Sequence, residues 1–177
     1  KEKISSKNNQ ETFGNLSSLL KCFEIAKNDN SDLIYFVEDD YLHYDHSLVD
    51  MRGTYERISS QHKDEIIVCP SDYPFNYMTN EKTNILIGSK QHWRIITKML
   101  CTFMISKKMF QKHINNFEKT CEKRHDPFEK YLNEVLQKEI AISPIKSLAI
   151  HLTNINSSYG LSPFIDYKKL WDENKVK

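Results

Sequence analysis

The chain has 177 residues, of which 39% are hydrophobic and 28% are charged, and its formal net charge is +1. A nucleic-acid-binding protein usually carries a basic excess, so the balanced charge argues against that class. No stretch approaches the roughly 20 apolar residues that a membrane-spanning helix needs. A chain of this length is expected to form one domain that buries roughly two-thirds of its unfolded surface.

Helical and strand patterns alternate along the first half of the chain. After Asp32, the run Leu33 to Val37 is apolar and rich in β-branched and aromatic residues, which is typical of a strand covered on both faces. The predicted elements are a helix over residues 13–27, this strand, a helix over 48–59 and a second buried strand over 65–70.

The second half continues the alternation after a long irregular loop. The predicted elements are the loop over residues 71–84, strands over 85–88 and 93–104, helices over 107–117 and 127–138, one or two strands within 140–152, and an amphipathic turn near Leu170. Asp126 and Pro127 suit the cap and the first turn of the helix that they open. Helices that alternate with buried strands predict an α/β fold with a mostly parallel sheet.

The cysteines indicate a reducing environment. Cys22, Cys69, Cys101 and Cys121 are widely spaced, form no CxxC pair and lie in or beside apolar stretches. Buried free thiols are therefore expected. A cytoplasmic location follows, with a peripheral position on a membrane as the alternative.

Three consecutive acids, Glu38, Asp39 and Asp40, follow the first predicted strand. In open α/β sheets, ligands bind outside the carboxyl ends of the strands. Three neighbouring carboxylates repel one another, and a divalent cation would hold them together. Carboxylate oxygens suit Mg²⁺ and Mn²⁺, and Mg²⁺ is often shared with substrate phosphates. The alternative is that the acids are solvated turn residues that cap the next helix.

The strand that ends in Glu38-Asp39-Asp40 resembles the DxD-type motif of GT-A glycosyltransferases, of which several inverting members carry Glu-Asp-Asp. The preceding helical segment also lies where that fold has its helix. Later segments are similar to such enzymes in their order along the chain: Ser71 to Pro74, His92 to Arg94, Thr102 to Met104, His125 to Phe128, and Ser147 to Leu152.

The resemblance implies a GT-A-like, Rossmann-related α/β sheet flanked by helices, in a single domain over residues 1–177. GT-A enzymes usually have two strand–helix units before the DxD strand, whereas only 31 residues precede Asp32 here. We therefore expect the chain to lack those N-terminal units and to be the C-terminal part of a longer catalytic domain. The implied enzyme is an inverting glycosyltransferase that uses Mn²⁺ or Mg²⁺. It would move a sugar from a nucleotide-diphosphate donor to a hydroxyl of a carbohydrate acceptor.

The resemblance also implies roles for the acids. Asp40 would be the direct metal ligand, Glu38 would act through water or the donor ribose, and Asp39 would hold the donor sugar. Asp126 would be the general base that takes the proton of the acceptor hydroxyl. A plain helix cap explains Asp126 equally well, and the two roles are compatible.

The other site residues come from the later segments. His151, which follows an apolar run, would bind the metal or the diphosphate, with a structural histidine as the alternative. Asp72, Tyr73, Trp93 and Arg94 would bind the acceptor, with Trp93 stacking on a sugar face. Core packing explains Trp93 as well, and buried loop anchors would explain the aromatic residues of the 71–84 loop.

Two other classes of function remain open. One is another metal-dependent phosphate-handling enzyme, either a nucleotidyltransferase or a phosphohydrolase. The chain has no P-loop and only 4 glycines, which argues against nucleoside triphosphate chemistry. The other is a non-catalytic, transferase-like module that binds carbohydrate.

Overall fold

The structure, a computed structural model, describes residues 4–5, 11–12, 14–78, 80–156, 161–163 and 165–175. Strands in this part of the chain are β1 (Ile4–Ser5), β2 (Glu11–Thr12), β3 (Leu33–Phe36), β4 (Tyr41–His43), β5 (Ile66–Val68), β6 (Ile85–Ile87), β7 (His92–Ile96), β8 (Phe103–Ser106), β9 (Ile140–Pro144) and β10 (Ala149–His151). Helices there are α1 (Asn15–Asn28), α2 (Ser47–His62), α3 (Lys107–Lys112), α4 (Ile114–Glu122), α5 (Lys130–Leu136) and α6 (Tyr167–Asn174), with 3₁₀ turns at Pro74–Tyr77 and Leu152–Asn156.

A six-stranded mixed sheet is the centre of the fold. Its strand order is β3-β8-β5-β9-β7-β6. Only β5 and β9 are parallel neighbours in this sheet, and the other neighbouring pairs are antiparallel. The α/β class is therefore confirmed, but the prediction of a mostly parallel sheet is wrong. Apolar runs reveal strands without revealing their direction, which depends here on β8 returning between β3 and β5.

Helices cover both faces of this sheet, and an apolar cluster fills each interface. On one face, helices α1, α3, α4 and α5 pack their aromatic and aliphatic side chains against the strands. The rings of Phe23 and Phe36 meet edge to face there, with centroids 5.1 Å apart. On the other face, α2 contributes Met51 and Ile58 to a cluster that contains the fully buried Trp93. The two clusters thus bury both faces of the sheet, and the acidic turn, Glu38 to Asp40, follows its strand β3.

Strands β4 and β10 form a separate antiparallel pair that matters for the site. Tyr41 lies opposite His151 in the register of this pair. This pairing places the segment directly after the acids beside the segment that ends in His151. Residues more than 100 positions apart in the chain thereby become neighbours.

Several predicted elements have different bounds in the structure. The predicted helix over 107–117 is two helices, because the backbone turns at His113, whose N–H bonds to the carbonyls of both Met109 and Phe110. The helix expected from Pro127 begins at Lys130, so Asp126 is not its cap. Residues 97–102 interrupt the predicted strand over 93–104.

Two burial expectations also need correction. Strand β3 was expected to be covered on both faces. Its residues Leu33, Ile34 and Tyr35 are only half-buried, because β3 is an edge strand of the described six-stranded sheet. Among the cysteines, Cys22 is exposed, whereas the other three are buried. Helix α1 presents Cys22 on its outer side, away from the buried Phe23.

Within the described residues, we find no helix with the length and apolar character needed to cross a membrane.

Candidate functional site

The acidic segment forms the tight connection between β3 and β4. Glu38 follows the end of β3, and Asp39 and Asp40 form the turn from which β4 starts. Asp39 is exposed, whereas Glu38 and Asp40 are half-buried. The three acids therefore do not share one environment: Asp39 faces solvent and the other two face the protein.

Asp40 and His151 are in direct contact. Nε2 of His151 lies 2.8 Å from Oδ2 of Asp40. The Tyr41 ring stacks on the imidazole at a centroid distance of 4.8 Å and an interplanar angle of 12°. The hydroxyl of Thr153 lies 3.0 Å from Nδ1 of the same ring. The structure thus brings together the two residues that were predicted as metal ligands, and His151 is oriented by contacts on several sides.

Glu38 lies beside this pair in a partly desolvated position. Its backbone N–H donates to the Thr102 hydroxyl at 3.0 Å. Burial, together with the charges of Asp40 and Glu129, raises the pKa of the Glu38 carboxyl from its ordinary value of 4.5 to about 7. A carboxyl with a pKa near neutrality can hold or release a proton at physiological pH, which is a frequent property of functional sites.

Glu129 is a carboxylate of this region that no sequence pattern indicates. It directly precedes α5 and is half-buried. Burial raises its pKa, while its backbone and the charge of His151 partly offset that effect. Asp126, the predicted general base, is exposed, and the peptide bond between it and Pro127 is cis. The Asp-Pro pair drew attention to Asp126, whereas Glu129 carries no local pattern that distinguishes it.

Asp72 is the centre of a buried polar cluster rather than an open binding residue. Its side chain is completely inaccessible and lies 3.3 Å from Nη2 of Arg94. The hydroxyls of Tyr77 and Ser162 both donate to Oδ2 of Asp72. Burial raises the pKa of Asp72, and these partners partly offset the rise. The cluster therefore fastens the loop after β5, strand β7 and the segment before α6 to one another.

Two of the predicted acceptor residues are core residues. Trp93 and Tyr73 are both 0% exposed, so neither side chain can contact an acceptor in this structure. Tyr73 lies with its hydroxyl 2.8 Å from that of Tyr41, whose ring stacks on His151. The exposed aromatic residue of this loop is Tyr77, whose ring lies 4.2 Å from the guanidinium carbon of Arg94. Tyr77 is therefore the aromatic residue of this loop that a sugar could reach, whereas the Arg94 side chain is only 11% exposed.

A divalent cation needs several ligand atoms around it, from the protein, from water or from a substrate. The described residues contain no group of three side chains suited to hold a metal ion. Asp40 and His151 supply an oxygen and a nitrogen ligand in contact with each other. Mg²⁺ sites often use one or two protein carboxylates and complete their coordination with water and substrate phosphates. A cation that is shared with a phosphate-bearing substrate would need no more protein ligands than this pair.

No protein-family model matches this chain, and no curated protein shows significant similarity to it.

Proposed function

We propose that the protein is a metal-dependent glycosyltransferase of the GT-A type that moves a sugar from a nucleotide-diphosphate donor to a hydroxyl of a glycan or other acceptor. The observation that carries the proposal is the contact between Asp40 and His151, which lie 111 positions apart in the chain. A random pair of polar residues at this separation has no reason to meet just beyond the end of β3, the edge strand of the six-stranded sheet, next to a third acid. Ligand sites in α/β sheets are expected at such strand ends.

Asp40 and His151 would hold Mn²⁺ or Mg²⁺, and Glu38 would contact it through water. The cation would neutralise the charge that develops on the leaving diphosphate. Asp39, which faces solvent, is free to contact the donor sugar. The Tyr41 ring stacks on the imidazole and its hydroxyl contacts that of the buried Tyr73, so the pair would need little reorganisation when the substrate binds.

A carboxylate that accepts the proton of the acceptor hydroxyl completes the proposed mechanism. Asp126 and Glu129 both come from the same segment before α5. Glu129 suits the role better, because it is half-buried, its pKa is raised, and its charge interacts with those of Glu38 and His151. Attack on the anomeric carbon from the face opposite the diphosphate would invert the stereochemistry.

The proposal is tested by incubating the protein with Mn²⁺ and a panel of UDP- and GDP-sugars, alone and with simple sugar acceptors. We expect release of UDP or GDP, which is lost in Asp40→Asn and His151→Ala. Asp45→Asn is the matched control, because it removes an exposed acid from the loop after β4. Release of a nucleoside monophosphate together with a sugar phosphate would instead indicate a phosphohydrolase. Release of inorganic diphosphate from a nucleoside triphosphate that is offered with a sugar phosphate would indicate a nucleotidyltransferase. Equal activity in all the variants would refute the proposed site.

A further inference from the structure

Thr102 links strands β3 and β8 at the point where their backbone pairing ends. Phe36 and Phe103 are the last residues of β3 and β8 that lie opposite each other. One position beyond, the fully buried hydroxyl of Thr102 accepts the backbone N–H of Glu38 at 3.0 Å. A hydrogen bond to a side chain thus takes the place of the next backbone–backbone hydrogen bond between the strands, just where the acidic turn begins.

The hydroxyl of Thr102 also lies close to the side chain of Glu38. Its oxygen is 3.5 Å from Oε2 of Glu38, so it contacts both the backbone and the carboxylate of this residue. Asp40 is only two residues further along and reaches His151 from the same turn. Any rotation of the backbone at Glu38 would therefore change the direction in which Asp40 points.

We propose that Thr102 is a positioning residue for the acidic turn, and that its hydroxyl sets the geometry in which Asp40 meets His151. The part of this inference that concerns a cation rests on the proposed function. The hydroxyl, rather than the shape of the side chain, carries the effect. Valine has nearly the shape of threonine but would leave the Glu38 N–H without its partner, whereas serine retains the hydroxyl.

Ser106 provides a matched control at the other end of β8. It is 5% exposed, and its hydroxyl accepts the backbone N–H of Met109 at 3.1 Å as the cap of α3. Ser106→Ala therefore removes the same kind of buried hydrogen bond from the same strand, far from the acidic turn. A general loss of stability should appear in this variant as well.

The test compares the wild type with Thr102→Val, Thr102→Ser and Ser106→Ala. The side-chain ¹⁵N signals of His151 are recorded by NMR without metal, after assignment with His151→Ala. Mn²⁺ binding is then followed by electron paramagnetic resonance. We expect Thr102→Val to shift the His151 signals and to weaken Mn²⁺ binding by about tenfold, as for other residues that orient metal ligands. Thr102→Ser and Ser106→Ala should retain the wild-type signals and affinity.

Two results would overturn the inference. One is a Thr102→Val protein with unchanged His151 signals. The other is a Thr102→Ser protein as strongly altered as Thr102→Val, because the hydroxyl would then not be the cause. If the wild type itself binds no Mn²⁺, the proposed function fails, while the NMR comparison still decides the role of Thr102.

Discussion

Removing the charge of Glu38 should stabilise the protein at high pH and have little effect at low pH. Burial raises the pKa of this carboxyl from 4.5 to about 7 in the folded state. Between these values the folded protein binds a proton that the unfolded chain has released. The ionised carboxyl therefore costs stability, and the free energy of unfolding falls as the pH rises from about 4.5 through about 7. Glu38→Gln removes this pH-dependent cost.

The difference between the two pKa values corresponds to about 3 kcal/mol. Because the carboxyl keeps some contact with solvent, screening reduces the effect, and we expect about 2 kcal/mol. The glutamine variant should exceed the wild type in stability by about this amount at about pH 8, and the difference should vanish near pH 4.5.

Urea unfolding at about pH 5 and about pH 8, followed by circular dichroism, measures this difference directly. Asp39→Asn is the matched control, since it removes an exposed carboxylate from the same turn. Its difference from the wild type should stay nearly constant between the two pH values. A Glu38→Gln difference that is equally independent of pH would refute the desolvation argument.

Three further predictions concern the other residues of the site. Asp72→Ala should lower the free energy of unfolding by about 3–5 kcal/mol, because it leaves the nearly buried Arg94 without its carboxylate, and chemical denaturation measures this loss. Glu129→Gln should lower kcat/KM for sugar transfer by about 10²-fold with little change in Asp126→Asn; the opposite ranking would return the base to Asp126. Trp93→Ala should cost about 3–5 kcal/mol of stability, and an assay on the surviving folded fraction should find the acceptor KM unchanged.

Local elements of the fold could be predicted from the sequence, because their signals lie within a few residues. The helical spacing of Leu19 and Phe23 predicts α1, and the apolar run Ile66 to Val68 predicts β5. Strand direction could not be predicted in this way. It depends on which distant strand lies alongside, as when β8 pairs with both β3 and β5.

Part of the candidate site could also be predicted from the sequence, because some of its signals lie within a few residues. The acids after an apolar strand mark Asp40, and the apolar run before His151 marks a strand end. Their meeting depends on the pairing of β4 with β10, which no local pattern indicates. Trp93 shows the limit of residue type as a signal: an indole suits a sugar platform and a core equally well, and only burial decides between them.

The measurement that tests the central claim most directly is a calorimetric titration of Mn²⁺ together with UDP or GDP into the wild-type chain and into Asp40→Ala. The proposed function predicts nucleotide binding that depends on Mn²⁺ in the wild type and is lost in the variant. The same nucleotide affinity in both proteins, or binding that does not respond to Mn²⁺, would contradict the assignment of Asp40 and His151 to a cation shared with the donor diphosphate.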